Sequence, residues 1–284
     1  MGLSNKEARR LPRSFVMNMA GGLTNRPRWQ EATQKVSSGY AGPIIYAAGD
    51  SWFCYPRQLL ERHFPNAPSD LIEQLGARYA IFSEAEPANL ATRIRSFSHV
   101  EGMLIDKLAE TRADILLLSA GGNDLFGDGR LREILAGGNR DVSDYTRTEA
   151  FNKAFLGAAH AIHQMVDQIV RRYPRIHVLI HGYYYAVPNG NGPWLQEPMD
   201  QLGIPRQKQI RILKGITDEF NNKLRFISRK INAKFDRTSV HHIELRKVTK
   251  HSVKWYDELH PTTAGYAALT KPFIDRIDSL HPPR

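Results

Sequence analysis

The sequence predicts one α/β domain, a parallel sheet covered by helices on both faces. Three observations predict it. Five short apolar runs recur along the chain, each nearly continuous in hydrophobicity, as strands buried on both faces require. Segments with helical spacing separate them, and that alternation produces parallel sheets. No internal repeat and no linker rich in Pro, Gly and Ser divides the 284 residues.

The elements follow in order. Residues 1–40 mix Arg, Asn, Gly and Ser without sustained periodicity, so a partly disordered basic arm is expected ahead of one folded domain over residues 41–284. Residues 43–48 form the first apolar run and end at Gly49, which suits a buried strand and a tight turn. Residues 56–64 and 69–75 predict short helices, and 79–82 the second strand. Residues 101–110 place Met103, Leu104 and Leu108 on one helical face before the third strand, 115–118. A long helix over 148–172 is striped by Phe151, Phe155, Ile162, Met165 and Ile169, and Tyr173-Pro174 ends it. The fourth strand is 176–180. Residues 189–203 are a loop, and a second long helix over 208–233 carries Ile212, Ile216, Phe220, Leu224, Ile227 and Ile231. A fifth strand over 240–245 and a helix over 262–277 complete the pattern.

Composition excludes several function classes. Hydrophobic residues make up 42% and charged residues 24%, ordinary for a globular protein. No run approaches the roughly 18 to 20 apolar residues that span a bilayer. The apolar cluster at residues 15–20 is short and interrupted by Asn18, a poor signal peptide. The single cysteine, Cys54, excludes an internal disulfide and fits a reducing compartment, so a cytoplasmic location is expected. Net charge is +10, unevenly placed: residues 1–42 carry +5, residues 203–254 carry +10, and the remainder −5. Residues 203–254 are therefore either a solvated helix face or a surface for an anionic membrane or acidic substrate. No zinc-finger spacing, RNP-like motif or Arg-Gly repeat is present, so a nucleic-acid partner is not expected.

Open parallel sheets bind ligands in the loops beyond the carboxyl ends of their strands. Three such loops have unusual polar sequences: Gly49-Asp50-Ser51-Trp52, Gly121-Gly122-Asn123-Asp124 and Asp257-Glu258-Leu259-His260. A serine hydroxyl is a weak nucleophile until a base takes its proton, and His260 supplies a base of suitable pKa. Asp257, three residues earlier, is placed to orient that imidazole. Asn123 offers an amide donor to an oxyanion, and Gly121-Gly122 permits close backbone approach.

In these blocks the chain resembles the SGNH, or GDSL, hydrolase superfamily, whose first, third and fifth blocks are Gly-Asp-Ser, Gly-x-Asn-Asp and Asp-x-x-His. The resemblance spans about 210 residues, with the blocks in order and each after a strand. It implies a flavodoxin-like three-layer sandwich with five parallel strands, and two-step ester hydrolysis without a cofactor. It also implies Ser51 as nucleophile, His260 as base and Asp257 as orienting acid. The Ser51 backbone N–H and the Asn123 side chain become oxyanion-hole donors. The family's second block supplies a third donor from glycine, yet residues 83–100 contain none. Ala88 and Ala91 are the candidates for that position.

The resemblance leaves several substrates open: a lipid or small acyl ester, an acetylated carbohydrate, a thioester, or acyl transfer to an acceptor other than water. A catalytically silent binding module with a basic face is the alternative of another class. Trp52, Tyr183, Tyr184 and Trp194 are expected to line the substrate site, and Asp50 and Asp124 to hold their turns. Cys54 is expected to be core. His160 and His163 share a helical spacing without an evident third ligand, while His241 and His242 point to opposite strand faces, so no metal is expected.

Overall fold

The computed structural model describes residues 13–57, 66–97 and 103–281. Helix α1 (Arg13–Ser37) leads into β1 (Ile44–Gly49), α2 (Leu71–Gly76), β2 (Ala80–Ser83), α3 (Ala91–Phe97), α4 (Met103–Thr111) and β3 (Ile115–Ser119). Two short helices follow, α5 (Gly122–Phe126) and α6 (Leu131–Ile134), then α7 (Glu149–Arg172) and β4 (His177–His181). Helix α8 (Gln196–Gln201), α9 (Arg206–Phe235), β5 (Val240–Ile243) and α10 (Thr263–Leu280) complete the order among the described residues. The helix expected over 56–64 lies, beyond Arg57, outside the described residues.

All five strands are parallel, in the order β2-β1-β3-β4-β5. This is the flavodoxin-like order. Strand β3 at its centre is wholly buried, the burial its Ile-Leu-Leu-Leu run demands. Chain direction across the sheet reverses between β1 and β3. Right-handed crossovers therefore place α2 and α10 on one face and α3, α7 and α9 on the other. The result is three layers, with the ligand crevice expected where β1 and β3 diverge.

Local chemistry sets the helix boundaries. Asp70 caps α2 by accepting the Glu73 N–H at 3.0 Å, Thr148 caps α7 through Phe151, and Thr262 caps α10 through Gly265. Strand β5 stops at Ile243, two residues before the expected end. There Glu244 turns the chain by accepting the Arg246 N–H and guanidinium.

The expectation of an arm over residues 1–40 is corrected for residues 13–37, which form α1; residues 1–12 lie outside the described residues. Helix α1 covers the outer edge of β2, which has no strand partner on that side among the described residues. Trp29 Nε1 donates to the Ser83 carbonyl at 2.9 Å, Lys35 Nζ to Tyr79 at 3.2 Å and Asn25 Nδ2 to Ala85 at 2.9 Å. An open edge with unpaired carbonyls is thereby closed by side chains rather than by a strand. Weak amphipathicity and Pro27 within the helix hid it from periodicity.

The basic segment 203–254 is partly neutralised within the fold. Lys214 pairs with Asp218, Arg225 with Glu244, Lys234 with Asp167, and Arg246 with both Asp218 and Glu244. No helix among the described residues is long and apolar enough to cross a membrane.

Candidate active site

Ser51 stands two residues beyond β1, in a turn where the N–H groups of Phe53 and Cys54 both return to the Asp50 carbonyl at 3.0 Å. Glycine is required at position 49, because a Cβ there would lie 2.6 Å from the Ser119 carbonyl oxygen on β3. Asn123 lies in the first turn of α5, immediately past β3. Gly121 precedes it at φ +98°, a left-handed angle suited to glycine. Ser51 and Asn123 face one small cleft, whose walls include Trp52, Phe126, Tyr183, Tyr184 and Trp255.

The third loop brings His260. Tyr256 and Asp257 return their N–H groups to the His260 carbonyl, which folds residues 256–260 into a tight turn. Within it the buried Asp257 carboxylate accepts the Leu259 N–H at 2.8 Å and the His260 N–H at 2.7 Å. It also holds His260 Nδ1 at 2.9 Å. An ionised carboxylate can only accept, so Nδ1 carries the proton and Nε2 presents a lone pair. That Nε2 lies 2.8 Å from Ser51 Oγ. Ser51, His260 and Asp257 thus form one hydrogen-bonded line, and Tyr55 and Trp194 set their rings edge-on to the imidazole at 4.8 and 6.0 Å.

A family model for the GDSL-like lipase/acylhydrolase family matches residues 37–268, four-fifths of the chain. The chain belongs to that family. It is one of ester-hydrolysing enzymes. Among solved structures the chain is similar to phospholipase A1 from Streptomyces albidoflavus NA297, with a TM-score of 0.52 and 17% identity over 83% of this chain and 99% of that one. It also aligns with an extracellular lipase from Streptomyces rimosus (TM-score 0.49, 14% identity, 83% and 100% covered). A family 3 carbohydrate esterase from Clostridium thermocellum gives a TM-score of 0.47 and 16% identity, with 84% and 98% covered. At such identities the likeness is one of fold. No curated protein matches the sequence.

For this family member, the second-block position needs correcting. The Ala91 N–H is donated to Asp124 Oδ2 at 2.8 Å, so Ala91 does not face an oxyanion. As the first residue of α3 it has an N–H without an intrahelical partner, and the Asp124 carboxylate supplies one from the first turn of α5. Asp124, expected to hold its own turn, also bonds the N-terminus of α3, with burial raising its pKa against the backbone donors that lower it. Ala88 instead adopts φ +58°, the left-handed conformation in which a glycine would be at ease.

The expected lining residues divide. Trp52 and Tyr184 face the cleft, and Trp52 Nε1 is fixed by the Leu259 carbonyl at 3.1 Å. Tyr183 contributes its ring, but its hydroxyl points away into a hydrogen bond with Asp50. Trp194 packs on His260 rather than lining that cleft. Cys54 is core, its thiol pushed up to about 12 by burial. His241 and His242 point apart, to His177 and Asn221 respectively.

Sequence reasoning missed Glu258, Ser119 and Trp255. Glu258 is wholly buried and accepts the N–H groups of Trp194, Leu195 and Gln196 at 2.9–3.0 Å, which anchors the start of α8 and corrects the expectation that 189–203 is a loop throughout. Its position inside Asp-Glu-Leu-His was a signal only in that a charge sat within a motif. The partners are more than sixty residues away.

Proposed function

We propose that the protein hydrolyses carboxylic esters through an acyl-enzyme on Ser51. One observation carries this reading: Ser51 Oγ, His260 Nε2, His260 Nδ1 and Asp257 are joined by hydrogen bonds of 2.8 and 2.9 Å. His260 Nε2 takes the hydroxyl proton as Oγ attacks the acyl carbon, and Asp257 stabilises the imidazolium that forms. The Ser51 N–H and the Asn123 amide donate to the oxygen that becomes negative. Collapse expels the alcohol, which receives the proton from His260. Water then repeats the sequence on the acyl-enzyme and restores Ser51.

The aromatic walls of the cleft favour an apolar acyl group near Ser51. A fluorophosphonate probe tests the assignment. Labelling of the wild type at Ser51, with turnover of a short activated ester that Ser51→Ala abolishes, supports it. Wild-type turnover retained by Ser51→Ala overturns it.

A further inference from the structure

We propose that Tyr183 is a positioning residue that clamps the Ser51 turn to the Asn123 turn, so that nucleophile and oxyanion donor keep one fixed separation. The proposal rests on the esterase reading of Ser51. Four contacts carry it. The Tyr183 hydroxyl donates to Asp50 Oδ2, on the residue before the nucleophile. The same oxygen accepts the Gly122 N–H at 2.9 Å, on the residue before Asn123. Asp50 Oδ1 accepts the Ser119 hydroxyl at 2.7 Å and the Trp52 N–H at 3.1 Å. One phenol oxygen and one carboxylate therefore join the loops after β1 and β3 across the crevice.

The clamp has no solvent competitor. Asp50 and Ser119 are buried, and Tyr183 is 7% exposed. Burial and the adjacent carboxylate push the phenol far above its usual range, so it remains the donor. The ring cannot swing, because Trp52 stands edge-on to it at 5.1 Å and Phe220 stacks on it at 6.2 Å. Nor can Gly122 yield: a Cβ there would meet the Tyr183 ring at 2.5 Å. Buried, fully partnered networks of this kind fix a single geometry. Tyr183 follows β4, so the fourth strand braces a site whose reacting groups follow the first, third and fifth.

Tyr183→Phe keeps the ring and removes the clamp oxygen. In the full chain, kcat on a short activated ester falls about 10- to 100-fold while KM changes less than twofold, as a displaced reacting group requires. Affinity for an alkylboronic acid, which forms a tetrahedral adduct on serine, falls in step with kcat/KM. In an Asn123→Ala background the same substitution costs several-fold less, since the donor it aligns is gone. Unchanged kcat with a lowered melting temperature, or full additivity with Asn123→Ala, overturns the proposal. Should Tyr183→Phe not fold, Asp50→Asn replaces the shared acceptor and must give the same kcat loss and the same non-additivity, or the clamp is wrong. Ser51→Ala in parallel separates the two ideas: an active Ser51→Ala sinks the esterase reading, whereas an inactive one with unperturbed Tyr183→Phe sinks only the clamp.

Discussion

The guanidinium of Arg28, on α1, lies 2.6 Å from the wholly buried carboxylate of Asp70. That carboxylate also accepts the Tyr55 N–H at 2.8 Å and caps α2, while Arg28 donates to the Phe53 carbonyl at 2.6 Å. One ion pair thus fixes α1 to the chain that leaves the Ser51 turn. Arg28→Ala leaves a charge buried without its counter-ion and should cost about 3–5 kcal/mol. Urea unfolding followed by circular dichroism measures this, and a loss below about 1 kcal/mol would show that α1 is held by other means.

Asp257→Asn retains an oxygen for the Leu259 and His260 N–H groups but turns an amide N–H toward His260 Nδ1. The imidazole must then accept at Nδ1 and carry its proton on Nε2, where it cannot take one from Ser51. A kcat loss on the order of 10³- to 10⁴-fold is expected with the fold preserved. Stopped or steady-state ester assays at neutral pH test it; a loss under tenfold contradicts the assigned tautomer.

Glu258→Ala strips the acceptor from three backbone N–H groups at residues 194–196. A destabilisation of about 2–4 kcal/mol follows from leaving buried donors unpaired. Release of Trp194 from its place beside His260 should shift tryptophan emission to the red. An unaltered spectrum together with unaltered stability would mean that the loop holds itself.

Stability should fall with acidity because of His181. Burial among Trp52, Phe53, Tyr183 and Phe273 lowers its pKa from 6.5 to about 4, and its Nε2 has no partner among the described residues. Burial likewise brings His241 and His242 to about 4. A base whose folded pKa lies below its unfolded value is protonated preferentially in the unfolded chain. Its stabilising contribution is therefore complete above pH 6.5 and declines between pH 6.5 and 4. Urea midpoints across that window should decrease as pH falls, and His181→Phe should flatten the slope. An equal slope in wild type and variant assigns the effect elsewhere.

The legible parts of this protein were those written in local pattern. The burial of residues 115–118 on both faces appears as an unbroken apolar run, and the Phe151–Ile169 stripe appears at helical spacing. Asp257 and His260 lie within one turn, so their pairing followed from spacing alone. Helix α1 was not legible, since its docking depends on Arg28, Trp29 and Lys35 reaching groups 41 to 54 residues onward. That the Ala91 N–H is taken by Asp124 was not legible either, since the two residues lie 33 positions apart.

By itself the sequence determined the alternation of strands and helices and the three polar loops on which the proposed chemistry rests. Only the tertiary structure decided that Ser51 and His260, 209 residues apart, meet at 2.8 Å. It alone made Tyr183, which lines the cleft, also a link between Asp50 and Gly122, and placed Glu258 beneath the start of α8. The physical reason is range. Periodicity records which side of an element is buried, whereas a side chain's partner is set by strand order and register, which bring distant residues together only once the sheet has formed.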